Sequence, residues 1–542
     1  MANLKQNLKN LLGDMPLAVE MYWTLSAQHK PWSSHFNLEY LKGILPGAVE
    51  AVQNSLDRGV TGKKVFVFAT LHYWIQHAAL TALGLAGMGH EVTFGYLPYS
   101  DWDKEIDQFD LKKQNLYARQ VLNQAASVME ILPVMSLPPI DIKDYPKLHD
   151  IVEQTAIFDT QYTLQVETID QSEPLYQFRY QRNLQAALSL TGYLEKNRPD
   201  VVVIPNGTIQ ELGVCYRVAS MLGIDTVTYE FSDQLDRIWM AQNYEIMRHN
   251  TDDLWQGLGH IEMNSHRREM LLKLVSARKN AKLWGRLTRL WQTTPSQGAQ
   301  ALRDTLHLDE RPVVLLATNV LGDSLTLDRQ VFSENMADWI IGTLKYFLNM
   351  DDVQLVIRVH PGEMLIHGMS MVEVINSISS NLPAHIHVVR PDEKINTYDI
   401  IELVDLGLVF TTTVGLEMAM AGIPVVVAGQ THYKKRGFTY DPENWQAYFF
   451  YLDKILANPE DCHLSEAQIE LAWRYAYLFF FEFPLPFPWH ILHLEKTYSE
   501  QAMADVLSAE GQQKYGQTFA YLSGKKLDWS ARGLQVNQVE PD

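Results

Sequence analysis

The feature that most constrains the fold of this chain is a set of short apolar runs without alternation of polar and apolar residues. A clear example is VVVI at residues 201–204, within DVVVIPNG, which a helix-like stretch follows. Such strands are buried on both faces, as in parallel sheets that helices cover on each side. The sequence therefore predicts an α/β fold with parallel sheets.

The strand–helix–strand pattern occurs in two separate regions. The first, between residues 63 and 231, contains KKVFVFAT, HEVTFGYL, DVVVIPNG and IDTVTYEF. The second, between residues 312 and 430, contains PVVLLATN, VQLVIRVHP, HIHVVRP, LGLVFTTT and IPVVVAGQ. Each region predicts a doubly wound sheet, and such sheets bind ligands at the carboxyl ends of their strands. We therefore expect two tandem Rossmann-like domains with a ligand cleft between them.

The predicted domain boundaries follow from these regions and from the length of 542 residues, which is too long for a single core. We expect an N-terminal domain with a helical extension over residues 1–305. A second Rossmann-like domain is expected over residues 306–480. Residues 481–542 are expected to form a helical tail that packs across the domain interface.

The composition excludes several classes of function. The formal charge is −19, from 64 acidic and 45 basic residues, and this repels nucleic acid. Two cysteines can form neither a disulfide framework nor a four-thiolate metal site.

The N-terminus lacks the apolar core and the cleavage site of a secretory signal, so a cytoplasmic location is expected.

His360 follows the apolar strand in LVIRVHPGEM, where a side chain projects from the carboxyl end of a parallel sheet. Pro361 stops the strand and keeps the preceding residue out of helical geometry. An imidazole at this edge suits a phosphate oxygen, and Arg358 either adds charge there or is buried by the alternation of the strand. The alternative is that His360 and Pro361 only end the strand.

The next strand ends on Thr411, Thr412 and Thr413, directly before a predicted helix. Hydroxyls and unsatisfied backbone N–H groups at a helix N-terminus form an anion site, which suits a nucleotide phosphate. The alternative is that one threonine simply caps the helix. Glu417 lies one turn into this helix and is interpreted either as an acceptor for vicinal sugar hydroxyls or as a solvated acid.

The loop HYKKRGFT follows the last strand of the second region and carries consecutive cations before a glycine. Lys434, Lys435 and Arg436 are the three cations. We interpret this loop either as a clamp that closes on phosphates or as an ordinary solvated loop, and the sequence leaves both interpretations open.

The stretches RVHPGE, INTYDIIELVDLGLVFTTTVGLEMAMAGIPVVVAG and HYKKRGFT together resemble the nucleotide-sugar half of the capsular polysaccharide biosynthesis family. Members of that family are GT-B-fold glycosyltransferases related to the Kdo transferases of capsule assembly. The resemblance covers residues 312–441 and extends more loosely into the first half. It implies a metal-independent enzyme that needs no cofactor beyond its nucleotide-sugar donor, CMP-Kdo-like or UDP-linked. The implied acceptor is a capsular polysaccharide or a glycolipid, on the side of the domain over residues 1–305, and the domain over residues 306–480 is implied to bind the nucleotide sugar. Peripheral association with the inner membrane or with a polysaccharide assembly complex stays open.

The resemblance also implies roles for individual residues. His360 and Pro361 correspond to the His-Pro motif that holds the donor phosphate, and Thr411 to Thr413 correspond to the hydroxyls that contact it. His360 is then also a catalytic donor to the leaving phosphate. Glu417 falls at the position of a ribose-binding glutamate, and residues 390–398 fall where the family approaches the nucleotide base.

An inverting reaction also needs a general base from the N-terminal domain. The candidates at strand ends are His72 beyond VFVFAT, Glu211 after IPNGT, and Glu230 in TVTYEF. Each has a structural alternative, such as a core-edge histidine for His72 or an exposed acid at a helix start for Glu211. The sequence alone does not choose among them.

Three rival functions stay open. A UDP-sugar 2-epimerase shares the fold, but this chain has VGLEMAM where the acidic pair of the epimerase is expected. A polyol-phosphate transferase of the teichoic-acid type uses a similar two-domain architecture with a CDP-linked donor. A non-catalytic nucleotide-sugar-binding partner within a polysaccharide assembly complex would bind the donor without turnover.

Overall fold

The computed structural model describes residues 9, 13, 15, 17–25, 36–56, 62–288, 290, 292–365, 368–379 and 381–532. The chain divides into two compact units. The first consists of Met1–Asp159, Asp170–Met247 and Pro484–Leu527, and the second of Thr160–Ile169, Arg248–Phe483 and Asp528–Asp542. The strands, in chain order, are β1 (Lys64–Thr70), β2 (Glu91–Leu97), β3 (Glu130–Pro133), β4 (Val201–Pro205), β5 (Asp225–Phe231), β6 (Arg237–Gln242), β7 (Val313–Ala317), β8 (Gln354–Arg358), β9 (Ile386–Val389), β10 (Leu406–Val409), β11 (Val425–Val427) and β12 (Leu485–Pro486).

The first unit contains a seven-stranded sheet in the order β12-β6-β5-β4-β1-β2-β3. Strands β1 to β5 are parallel, β6 is antiparallel to β5, and β12 is antiparallel to β6. Strand β4 is buried along its whole length, as expected for a strand that helices cover on both faces. The helices of this unit are Ala18–Leu25, Glu39–Ser55, His72–Gly87, Gln108–Leu122, Lys147–Leu164, Pro174–Asn197, Gln210–Met221, Leu494–Glu500, Met503–Leu507 and Ala509–Leu522. The last residues of the helix Lys147–Leu164 belong to the second unit.

The second unit contains a five-stranded sheet in the order β11-β10-β7-β8-β9, in which all neighbouring strands are parallel. Strands β7, β8 and β10 are buried along their whole length. The helices of this unit are Asp252–Leu258, Ser265–Lys279, Ala299–Leu306, Met336–Phe347, Met371–Ile378, Thr397–Ile401, Val414–Met420, Trp445–Ala457, Glu466–Tyr477 and Trp529–Arg532. The predicted α/β class with two Rossmann-like domains is confirmed, whereas a ligand cleft between them stays a prediction.

The two compact units are separated at positions other than the predicted domain boundaries near residues 305 and 480. Residues 248–305 belong to the second unit, where the helix Ser265–Lys279 packs against the helix Glu466–Tyr477. Residues 484–527 belong to the first unit, because β12 extends its sheet by pairing with β6. Residues 533–542 of the predicted tail lie outside the described residues, and packing of the tail across the domain interface stays a prediction.

Two glycines in the helix His72–Gly87 allow the C-terminal helices to approach it closely. A Cβ atom at Gly84 would lie 2.5 Å from the Phe519 ring, and one at Gly87 would lie 2.5 Å from the Leu507 side chain. Both contacts are too short for any larger residue, so these glycines are required by packing. This close approach explains why residues 484–527 are part of the first unit.

The most apolar stretch of the sequence, residues 475–489, supplies core side chains. Tyr475, Phe479 and Trp489 are each at most 3% exposed. Among the residues that the structure describes, no helix combines the length and the apolar character needed to cross a bilayer.

Candidate functional site

The candidate donor site is the carboxyl edge of the second sheet, where β8, β7 and β10 end side by side. Thr318 and Asn319 directly follow β7, while His360 and Thr411 each lie two residues beyond their strands. The backbone N–H of His360 donates to Thr318 Oγ1 at 3.0 Å, and that of Thr411 donates to Asn319 Oδ1 at 3.2 Å. These bonds hold the strand ends together and bring the predicted residues His360 and Thr411 to one edge.

The chain around His360 orients its ring. His360 is exposed, and its Nδ1 accepts a hydrogen bond from the backbone N–H of Gly362 at 3.0 Å. In the neutral ring the proton is therefore on Nε2, which makes this atom a hydrogen-bond donor. Pro361 begins the 3₁₀ helix Pro361–Leu365, so the strand ends where the sequence predicted. An exposed ring with a defined donor atom suits contact with a phosphate.

The three threonines precede the helix Val414–Met420, as predicted. Thr412 Oγ1 accepts the N–H of Val414 at a long 3.4 Å, and the Tyr433 hydroxyl donates to the carbonyl oxygen of Thr412 at 2.6 Å. Thr411 Oγ1 is buried and has no hydrogen-bond partner among the described residues. A buried hydroxyl without a partner is costly, and the oxygen of a bound phosphate would satisfy it.

The two lysines of the predicted clamp lie in different environments. Lys434 is 6% exposed, and its Nζ lies 3.4 Å from the carbonyl oxygen of Gly429, just beyond β11. Burial lowers the pKa of Lys434, and the more distant Asp441 compensates only in part. Lys435 is exposed, and its Nζ pairs with Glu443 at 2.9 Å. Lys434 thus places a poorly compensated positive charge at this edge of the sheet, whereas Lys435 faces solvent.

Glu417 is buried, with two donors on one carboxylate oxygen. Its Oε1 accepts from Arg278 Nη1 at 2.6 Å and from the Tyr398 hydroxyl at 2.7 Å. Glu417 is 8% exposed, so the interpretation as a solvated acid is wrong. Within the described residues Oε2 makes no hydrogen bond, and it can accept one from a ligand hydroxyl. Tyr398 belongs to residues 390–398, which the resemblance places near the nucleotide base.

Replacing Arg278 is expected to show how strongly this pair stabilises the second unit. Arg278→Met should lower the free energy of unfolding by about 3 kcal/mol or more, because Glu417 would remain as a buried carboxylate without its cation. Arg268→Met on the same helix is the control. Its pair with Glu470 is 43% and 34% exposed, so its loss should cost less than about 1 kcal/mol. Urea unfolding measures both variants, and equal losses would contradict this interpretation.

Arg358 does not extend into the candidate donor site, which corrects the predicted role in phosphate binding. It is 4% exposed and donates through Nη1 to the carbonyl oxygen of Arg390 at 2.7 Å. Its Nη2 donates to the carbonyl oxygen of Ile395 at 3.3 Å. Burial lowers the pKa of Arg358 to about 10. Arg358 is buried like the rest of β8, and its guanidinium group holds the loop that leads to Tyr398.

Polar residues also mark the carboxyl edge of the first sheet. Glu230 is the penultimate residue of β5, and Asn206 directly follows β4. Burial raises the pKa of Glu230 to about 7, although hydrogen bonds from Asn206 Nδ2 at 3.0 Å and from the Phe231 N–H at 3.2 Å oppose this shift. A carboxyl group that titrates near neutral pH is well suited to general-base catalysis.

Glu211 is not the exposed acid at a helix start that the sequence suggested. It is fully buried, and its Oε1 lies 3.0 Å from Arg179 Nη2 and 2.8 Å from Arg182 Nε. Burial alone would raise the pKa of Glu211, but the two guanidinium groups outweigh it and hold the pKa below its usual value. A carboxylate paired in this way stabilises the unit and is a poor proton acceptor near neutral pH.

His72 begins the helix that follows β1, at the predicted strand end. Its ring is half-buried and makes edge-to-face contacts with Phe36 at 6.5 Å and Tyr73 at 5.3 Å. Strand β4 lies between β1 and β5, so Thr70 at the end of β1 and Glu230 are separated by two strand spacings, roughly 10 Å, and His72 lies two residues beyond Thr70. His72 stays a second candidate for the general base.

Three polar residues at the carboxyl edges of the two sheets were not predicted from the sequence: Thr318, Asn319 and Asn206. Each is among the first polar residues after a buried strand, in VVLLATN or VVVIPNG. The rule that identified His360 would therefore have found them. Neutral amides and hydroxyls fix strand ends as charged side chains do.

Two parallel α/β sheets with polar residues at their carboxyl edges are typical of GT-B-like folds, in which these edges bind ligands. Residues 263–478 match the family described as capsule polysaccharide biosynthesis protein. This match confirms the resemblance found in the sequence and indicates a glycosyltransferase. Within the described residues, no group of three or more His, Cys, Asp or Glu side chains could hold a metal ion.

Three solved structures are similar to this chain at low sequence identity. The beta Kdo 2,4 transferase KpsC from Thermosulfurimonas dismutans is 14% identical over 51% of this chain and 78% of its own, with a TM-score of 0.33. MurG from Acinetobacter baumannii is 13% identical over 78% and 99%, with a TM-score of 0.24. The UDP-GlcNAc 2-epimerase from Neisseria meningitidis is 12% identical over 77% and 100%, with a TM-score of 0.23. Likenesses at this level carry no argument about the substrate. No match was found among curated proteins.

Proposed function

We propose that the protein transfers a sugar from a nucleotide-sugar donor to a capsular polysaccharide or glycolipid, and that the donor phosphate binds at the carboxyl edge of the second sheet. The observation that carries this proposal is the joining of adjacent strand ends by the bonds from His360 to Thr318 and from Thr411 to Asn319. Parallel sheets of this kind bind ligands at this edge. The family resemblance favours a CMP-linked, Kdo-like donor over a UDP-linked one.

Three groups at this edge can neutralise the charge that develops on the leaving phosphate. His360 offers the N–H of Nε2, and Thr411 offers a buried hydroxyl without a partner. Lys434 adds a buried ammonium group. Fixed donors of this kind stabilise a transition state strongly, because they need no reorientation as the bond to the phosphate breaks.

Glu417 is proposed to bind the ribose of the nucleotide. Its Oε1 is occupied by Arg278 and Tyr398, which hold the carboxylate in one orientation. Oε2 would then accept a hydrogen bond from a ribose hydroxyl. Arg278 and Tyr398 act here as positioning residues, since they act through Glu417.

Glu230 is proposed as the general base, supplied by the first unit. The oxygen of the acceptor hydroxyl attacks the anomeric carbon, and its proton passes to the Glu230 carboxylate. The bond between the anomeric carbon and the phosphate oxygen breaks, and the nucleotide leaves with the electron pair. The pKa of Glu230, raised by burial to about 7, supports this role, because the group is partly deprotonated yet basic at neutral pH.

Nucleotide binding tests the proposed donor site through the two lysines. We expect isothermal titration with CMP, CDP, UDP and GDP to identify one preferred nucleotide. Lys434→Met should weaken its binding at least about 10-fold, because a buried cation near the phosphate is lost. Lys435→Met is the matched control and should change affinity less than about twofold, since its exposed ammonium already pairs with Glu443. Equal effects, or no nucleotide binding at all, would contradict the proposal.

A further inference from the structure

We propose that Asn206 is a positioning residue that aims the Glu230 carboxylate and stabilises its charged form. This inference rests on the proposed role of Glu230 as the general base. Asn206 occupies the first position after β4, beside the end of β5. Both residues are buried, at 8% and 7% exposure.

The amide group of Asn206 makes three hydrogen bonds whose direction is fixed by the backbone. Its Oδ1 accepts from the N–H of Thr208 at 3.0 Å and from the N–H of Ile209 at 3.3 Å. Its Nδ2 donates to Glu230 Oε2 at 3.0 Å. A rotated amide would turn its NH₂ group towards two N–H donors and its oxygen towards a carboxylate, so all three bonds would be lost. The loop therefore forces the donor side of Asn206 towards Glu230.

The main chain of Asn206 reinforces this arrangement. Its N–H donates to the carbonyl oxygen of Tyr229 at 2.8 Å, so backbone and side chain both tie the end of β4 to the end of β5. Its φ of 57° lies in the left-handed region, which asparagine tolerates better than most residues. A residue that joins two strand ends in a strained conformation leaves little freedom to the carboxylate that it contacts.

Asn206 provides the direct side-chain stabilisation of the Glu230 carboxylate. The titratable groups nearby are Tyr229 on the same strand, His77, whose ring lies 5.5 Å from that of Tyr229, and His490, whose ring lies 5.4 Å from that of Phe231. Burial lowers the pKa of His77 to about 4 and also lowers the pKa of His490, while burial raises the pKa of Tyr229. These three groups are therefore neutral near pH 7, and the residue that faces Glu230 from β6 is an uncharged tryptophan.

Asn206→Asp tests the inference, because it preserves the turn and changes only the group that faces Glu230. An aspartate keeps the oxygen that accepts from Thr208 and Ile209, and it also tolerates a positive φ. It places a second carboxylate beside Glu230 and so disfavours the charged base. We expect the acid limb of the pH profile of kcat/KM to move up by at least about one pH unit. Turnover at pH 7 should fall at least about fivefold and recover at higher pH.

Asn243→Asp is a matched control at the opposite end of β5. Asn243 has a φ of 56°, its Oδ1 accepts from the N–H of Thr226 at 2.8 Å, and its Nδ2 donates to the exposed carboxylate of Asp225 at 3.1 Å. The substitution therefore also places two carboxylates side by side at a residue with a positive φ, here at an exposed position away from Glu230. It should leave the pH profile unchanged.

Further variants separate failure of this inference from failure of the proposed function. If Glu230→Gln is inactive but Asn206→Asp leaves the pH profile unchanged, the positioning role of Asn206 is overturned. If Glu230→Gln remains active, the base assignment itself is overturned, whatever the effect of Asn206→Asp.

If Asn206→Asp does not fold, Asn206→Gly replaces it, because glycine keeps the positive φ and removes the side-chain amide. An unshifted acid limb in that variant would equally overturn the inference, and an upward shift would support it.

Discussion

His360→Ala is expected to lower turnover about 100-fold or more while leaving the fold nearly as stable as before. The lost group is a preorganised N–H donor at the position where charge develops on the leaving phosphate, and one such donor contributes a few kcal/mol to the barrier. The ring is exposed, so its removal should cost less than about 1 kcal/mol of stability. Donor-sugar transfer, donor hydrolysis and the melting temperature measure these effects.

His385→Ala is the matched control from the same unit. His385 directly precedes β9, is 6% exposed, and its Nε2 lies 2.9 Å from the carbonyl oxygen of Phe347. Its removal deletes a buried hydrogen bond to the Phe347 carbonyl, which then keeps only the N–H of Met350 at 3.1 Å, so it should cost about 1 kcal/mol of stability or more with little effect on turnover per folded molecule. If His360→Ala instead behaves like this control, His360 is a structural cap of its strand and the phosphate-site interpretation fails.

Glu230→Gln is expected to lower turnover by a factor of about 100 to 10,000, which is the usual contribution of a general base. In the unmodified enzyme, kcat/KM should rise with pH through about 7, where Glu230 loses its proton. The variant should lack this dependence on pH in whatever activity remains. A variant that keeps most of its activity would leave His72 as the candidate base.

The same substitution should stabilise the fold at high pH. Burial raises the pKa of Glu230 from 4.5 to about 7 in the folded state, so the unfolded chain releases this proton at lower pH. The contribution of Glu230 to stability is therefore fully present below about pH 4.5 and is lost as pH rises towards 7. Relative to the unmodified protein, Glu230→Gln should gain roughly 3 kcal/mol between pH 4 and pH 8. Urea unfolding at both pH values checks this, and an unchanged difference would contradict the raised pKa.

The parts of the fold that depend on local sequence could be predicted. Strands such as VVVI are apolar without alternation because helices cover both their faces, and this pattern alone predicts parallel sheets. The first polar residues after such a strand lie at the carboxyl edge, so the positions of His360 and Thr411 follow from the pattern, and Glu230 is the charged residue near the end of its own strand. The same rule would have found Thr318 and Asn206.

The parts that depend on distant partners could not be predicted. The sequence around Glu211 resembles an exposed helix start, and its burial results from Arg179, which is 32 positions away. Glu417 is held by Arg278, which is 139 positions away and precedes the predicted domain boundary. Adjacent lysines in one loop are indistinguishable in sequence, yet packing buries Lys434 and leaves its neighbour in solvent.

The most direct test of the central claim is a crystal structure with the nucleotide that binds best. We predict the phosphate at the carboxyl edge of the second sheet, within about 3 Å of His360 Nε2 and Thr411 Oγ1, and a ribose hydroxyl on Glu417 Oε2. A nucleotide bound at another place, or one whose phosphate contacts neither His360 nor Thr411, would contradict the proposed donor site.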